Sequence, residues 1–183
     1  FIKDFNPLIP GANEPFAPRR SFYAIFDGHG GSLISEFLAR RFAKELAEHR
    51  QVKTDPVLAL KDTWKAMDML CFEHCQEWAR SSGAGSATLP CDGSTAVVAL
   101  VVRDELYSCN CGDSFCYIQL TSGELLCLSD DHSTRSDAEV MRCEEAGAKV
   151  QRKKQHGWSC CSCSNESRTA ALKDRRVYPG GLT

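Results

Sequence analysis

No apolar run in this sequence approaches the roughly 20 residues that a membrane-spanning helix requires. An excess of one charge is missing too. Lys and Arg number 22 against 24 Asp and Glu, a net charge of −2. Nothing global therefore points to nucleic acid or to an anionic membrane. The N-terminal stretch "FIKDFNPLIPGANEPFAPRR" lacks an initiator Met and the charged-then-apolar layout of a signal peptide. The chain reads as cut from something longer, and as a resident of a reducing compartment, cytoplasmic or nuclear.

Cysteine, by contrast, is abundant: eleven in 183 residues, an odd number. Without a secretory signal, a disulfide framework is the weaker reading. Cys109, Cys111, Cys116 and Cys127 sit in apolar, strand-like runs. There a thiol behaves as a small buried hydrophobe. The hydrophobic share of 43% and charged share of 25% are those of a globular domain.

Residues 7–18 hold four prolines and read as a loop. "SFYAIF" reads as a buried strand. Beyond a glycine-rich turn, Ile34, Leu38, Phe42 and Leu46 recur every four residues, the stripe of a helix over about 32–49. Asp55 and Pro56 suit the cap and first position of a second helix. Its expected core face is Val57, Leu60, Trp64, Met67, Cys71, His74 and Trp78, with His74 a packed histidine rather than a ligand. The period then changes. "STAVVALVV", "ELYSCNC", "SFCYIQL" and "ELLCLS" read as a meander of antiparallel strands. "RSDAEVMRCEEAGAKV" reads as a short helix stopped at Gly147. "RRVYPGGLT" ends on a turn that suggests entry into a strand. Helices grouped together and strands grouped together argue for an α+β fold with antiparallel sheet.

The chemistry concentrates in "FDGHGG". Asp27 ends an apolar run, where a carboxylate is rigidly aimed. Gly28 lets its backbone carbonyl approach a ligand, because no Cβ intrudes. Hard cations such as Mg²⁺ and Mn²⁺ favour carboxylate and carbonyl oxygens. His29 has a side chain that donates a proton near neutral pH. The competing reading is a glycine turn in which Asp27 caps the next helix. "CDGSTAVV" and "NCGDSF" place Asp92 and Asp113 at strand ends, which with Asp27 would make an acidic rim. Asp130, Asp131 and His132 form a third polar knot.

Taken in order, "FYAIFDGHGG", "DGSTAVVALV", "LYSCNCGDS", "LSDDHS", "EEAGAKV" and "RVYPGGLT" resemble the PP2C-type, metal-dependent serine/threonine protein phosphatases. The resemblance covers roughly residues 20–150 and 176–183. It implies a four-layer αββα sandwich of two antiparallel sheets flanked by helices, here partial. It implies that Asp27 bridges two metal ions, that the Gly28 carbonyl binds one of them, and that Asp113 helps to hold a weaker third. His29 then matches the proposed general acid. Gly93, Ser94 and Thr95 match a structural strand entry, and Asp131 and His132 a structural "DH". The implied reaction is hydrolysis of phosphoserine or phosphothreonine on proteins by a water activated between Mg²⁺ or Mn²⁺ ions. His29 protonates the departing oxygen, with no covalent phosphoenzyme.

The sequence departs from the family in several places. The family's phosphate-binding Arg and acidic pair belong upstream of Phe1, with Asp4 as the nearest substitute. Further acidic ligands belong beyond Thr183, so the chain reads as an incomplete catalytic unit. The Arg that often follows "GDS" is Phe115. The basic, Cys-rich stretch at about 151–176 reads as an insertion. His156, Cys160, Cys161 and Cys163 within it match no common zinc spacing. Its basic residues suit an acidic or phosphorylated partner. The alternative to an enzyme is a pseudophosphatase-type binding module.

Overall fold

The computed structural model describes residues 1–11, 17–82, 90, 92–152 and 175–178; for 149, 151, 152 and 175–178 it describes the backbone alone. The chain divides into two compact units, residues 1–130 and 131–183.

The first unit is built on a three-stranded antiparallel sheet in the order β1 (Arg20–Ile25), β4 (Ala96–Val102), β5 (Glu105–Cys111). The register runs from Arg20↔Val102 to Ile25↔Val97, and from Ala96↔Cys111 to Val102↔Glu105. Two helices, α1 (Leu33–Glu48) and α2 (Pro56–Ser81), supply the apolar stripes that cover one sheet face. Phe22, Val98 and Leu100 from that face pack with Phe42 and Leu46 of α1 and Leu60 and Met67 of α2. Phe42 lies at the centre, its ring 6.0 Å from Phe22 and 5.1 Å from Trp64. Each such side chain contributes about 1.5–3 kcal/mol by burial. Asp55 caps α2 as its sequence suggests, accepting the Leu58 N–H at 2.9 Å. His74 is packed, its ring 4.4 Å from Phe37.

The proline-rich start does more than loop. Phe5 and Ile9 are buried in the core, and Ile2 bridges Phe22. The strand "SFYAIF" is buried on one face only: Tyr23 is 42% and Ile25 63% exposed. Val57 and Trp78 are likewise exposed at the ends of the α2 stripe. The expected meander breaks after β5. Here β6 (Tyr117–Gln119) and β7 (Leu125–Cys127) form a separate hairpin. Cys109 does pack against the core, but Cys127 is exposed on that hairpin, against expectation. All six residues of this two-stranded ribbon are exposed, so it gives the thiol no cover. Among the described residues no helix is long and apolar enough to cross a membrane.

The second unit holds α3 (Asp137–Glu145), capped by the Ser136 hydroxyl and followed by Gly147 at φ +84°. Its strands β8 (Lys149–Arg152) and β9 (Arg175–Tyr178) pair antiparallel, Lys149 opposite Tyr178. The expected insertion thus begins and ends inside a strand pair. Its interior, with His156, Cys160, Cys161 and Cys163, lies outside the described residues. The mixture of helices and antiparallel sheets agrees with the α+β expectation.

Candidate active site

Antiparallel pairing decides which residues meet. β1 and β5 both run toward the end at which β4 starts. Asp27, two residues past Ile25, and Asp113, two residues past Cys111, therefore stand at one end of the sheet. The start of β4 lies between them. Two strand spacings separate their backbones, roughly 10 Å.

The start of β4 holds this end together. The Thr95 N–H donates to the Asp27 carbonyl at 2.9 Å, and the Asp27 N–H donates to Thr95 Oγ1 at 3.3 Å. Thr95 Oγ1 also lies 2.6 Å from Ser114 Oγ. Ser94 Oγ lies 2.7 Å from the Thr95 carbonyl and 3.2 Å from the Asp27 carbonyl, with one proton to share between them. Thr95 is buried, so the bonds of its own hydroxyl are little exposed to competition from water. They join the turn after β1 to the loop after β5 through one hydroxyl. Reading the sequence left Ser114 out. Its only signal was its place after Asp113 in "GDS".

The Asp27 backbone is fixed, whereas its carboxylate is exposed and takes no hydrogen bond or ion pair among the described residues. A carboxylate capping the next helix would accept its N–H groups, so the capping alternative for Asp27 does not hold. That task falls to Asp92, whose Oδ2 accepts the Leu33 N–H at 3.0 Å. Asp92 thus serves as a helix cap for α1, with its side chain half-buried. Its charge also reaches Cys75 on α2: burial first, and then Asp92, pushes that thiol up.

His29 is half-buried. Gly28 and His29 form a two-residue strand, β2, paired with β3 at Gly93–Ser94: Gly28 opposite Ser94, His29 opposite Gly93. The imidazole lies over Gly93, where a Cβ would run into its Nε2.

The remaining acidic residues have local work. Asp4 Oδ1 accepts the Asn6 N–H at 3.3 Å, near the start of β1 and away from Asp27. The Asp130 backbone is gripped by the Asn110 side chain, which donates to its carbonyl at 2.7 Å and accepts its N–H at 3.2 Å. In the second unit, Asp131 accepts the Ser133 N–H at 3.0 Å and pairs with Arg135 at 3.5 Å. His132 beside it is half-buried.

Asp27 and Gly28 offer the hard oxygens that a divalent cation prefers. Among the described residues, however, no group of three or more His, Cys, Asp or Glu gathers to hold a metal ion.

The profile of the protein phosphatase 2C family matches residues 10–160. This chain belongs to that family. It is 37% identical over 128 residues to probable protein phosphatase 2C 76 of Arabidopsis thaliana, covering 70% of this chain and 28% of that protein. It is 35% identical over 130 residues to probable protein phosphatase 2C 56 of Oryza sativa subsp. japonica, covering 71% and 34%. Over 152 residues it is 32% identical to the integrin-linked kinase-associated serine/threonine phosphatase 2C of Rattus norvegicus, covering 79% and 38%. The chain spans about a third of the length of these relatives. The fold is accordingly a partial PP2C fold, and PP2C metal dependence is a property of the family.

Proposed function

We propose that this chain carries part of the active site of a protein serine/threonine phosphatase that hydrolyses phosphoserine and phosphothreonine on proteins. One observation carries the reading. In a PP2C family member, Asp27 has a fixed backbone and an uncommitted carboxylate, beside a His29 seated on its own strand pair. Asp27 and the Gly28 carbonyl would hold Mg²⁺ or Mn²⁺, with Asp113 assisting at a further ion. What the bound cations supply is Lewis acidity, which lowers the pKa of a water and neutralises phosphoryl charge. The residues of the chain do the rest. His29 is placed at the mouth of the turn to hand a proton to the departing serine or threonine oxygen. Thr95 keeps the Asp27 backbone from yielding when charge gathers beside it.

The alternative is a non-catalytic, pseudophosphatase-type binding module. The test uses the full-length protein with a phosphoserine peptide, Mn²⁺ and a chelator control. Metal-dependent phosphate release is expected. Peptide binding without release would favour the binding module and overturn the enzymatic reading.

A further inference from the structure

The short pairing of β2 with β3 is flanked by two unusual contacts. At one side, Asp92 Oδ2 accepts the N–H of Leu33, the first residue of α1. Ser32, the residue at the capping position, does not do this. Its hydroxyl donates instead to Glu36 Oε1 at 2.9 Å. The Asp92 carboxylate also fills the space in which a Cβ of Gly31 would stand. At the other side, His29 Nε2 fills the space in which a Cβ of Gly93 would stand. Residues 28–33 are therefore fastened to residues 92–94 at both ends, with the imidazole held between.

We propose that Asp92 and Gly93 are positioning residues for His29. Asp92 anchors the end of the turn by capping α1, where an anion is favoured by the exposed N–H groups and the helix dipole. Gly93 offers the ring a bare backbone to lie against. This assignment rests on the phosphatase reading for the use of His29, but the geometry of the clamp does not. It also gives Asp92 a task that the Asp27 carboxylate does not have: Asp92 Oδ2 accepts the Leu33 N–H, whereas the Asp27 carboxylate accepts no hydrogen bond among the described residues.

The test is NMR on the full-length protein at fixed pH. It follows exchange of the Leu33 amide and the position of the His29 ring signal, assigned with His29→Ala. Asp92→Ala should speed Leu33 exchange by roughly tenfold to a hundredfold, the worth of a hydrogen bond to a charged group. It should also shift the His29 signal. Asp92→Asn keeps an acceptor oxygen and should restore Leu33 protection, with Mn²⁺ affinity as in the wild type. Gly93→Ala should move the His29 signal, leave Leu33 exchange unchanged and lower kcat on a phosphoserine peptide without altering Mn²⁺ affinity. An Asp92→Ala protein with wild-type Leu33 exchange would overturn the anchor. A Gly93→Ala protein with a wild-type His29 signal would overturn the seat. Loss of Mn²⁺ affinity in Asp92→Asn would make Asp92 a ligand and overturn the assignment. Both NMR readings are independent of turnover, so an inactive wild-type protein would count against the phosphatase reading alone.

Discussion

Thr95 Oγ1 and Ser114 Oγ stand 2.6 Å apart, and the same Thr95 oxygen accepts the Asp27 N–H at 3.3 Å. One buried hydroxyl thus ties the turn bearing Asp27 to the loop bearing Asp113. Thr95→Val keeps the shape of the side chain and removes that hydroxyl. It leaves the Asp27 N–H and the Ser114 hydroxyl short of a partner, which costs about 1–3 kcal/mol. Urea denaturation should show this loss for Thr95→Val and a smaller one for Thr95→Ser. Equal stability of Thr95→Val and wild type would mean that the bridge is not formed.

Asp27→Asn should separate binding from folding. The carboxylate makes no bond within the described fold, so stability should change by less than about 0.5 kcal/mol. Mn²⁺ affinity of the full-length protein should fall sharply, because the amide keeps one oxygen and no charge. Calorimetric titration decides it. Unchanged affinity would remove Asp27 from the metal site.

His29→Ala should produce a loss that depends on the leaving group. General acid catalysis contributes about 10² to 10⁴ in rate. A serine oxygen leaves as a poor, strongly basic alkoxide and needs the proton; an aryl oxygen needs it far less. The variant should therefore lose much more kcat on a phosphoserine peptide than on an aryl phosphate, with Mn²⁺ affinity kept. Equal fractional losses on both substrates would assign the imidazole a structural role.

The thiols make stability depend on alkaline pH. Burial pushes Cys109 up to about 12. Burial and then Asp68 push Cys71 up to about 11. An unfolded thiol titrates at roughly 8.5. Between these values the unfolded chain has released protons that the folded chain still holds, so stability falls as pH rises. It is fully present below about pH 8.5 and declines through 11 and 12. Cys127 goes the other way: hydrogen bonds with the Ser129 backbone and then its hydroxyl hold its thiol below the ordinary value, and it is exposed. Iodoacetamide at neutral pH should modify Cys127 well before Cys109. A flat urea midpoint between pH 8 and 11, or Cys109 alkylated first, would contradict these environments.

Much of this was legible in the chain itself. The four-residue recurrence of Ile34, Leu38, Phe42 and Leu46 determined an amphipathic helix, because 3.6 residues per turn place them on one face. Asp55 before Pro56 determined where α2 starts, and Gly147 where α3 stops. The order of the short motifs around "DGHGG", "DGST" and "CGDS" pointed to the PP2C family, and the family profile agrees. Local rules of this kind act within a few residues and need no knowledge of the fold.

What only the tertiary structure decided is which neighbour claims each polar or apolar group. Asp92 and Asp27 look alike in sequence, each an aspartate followed by glycine at the end of a strand or the start of one. Folding brings Asp92 against the first N–H of α1, 59 residues earlier in the chain, and leaves the Asp27 carboxylate uncommitted. Tyr23 and Ile25 alternate with Phe22 as a strand demands, yet only the packing of α1 and α2 determines that the Phe22 face is the covered one. Cys109 and Cys127 occupy similar apolar runs, but one lies against the core and the other on a two-stranded hairpin. Burial is a property of what stands opposite a residue, and for residues far apart in sequence that is set by the register of β1, β4 and β5.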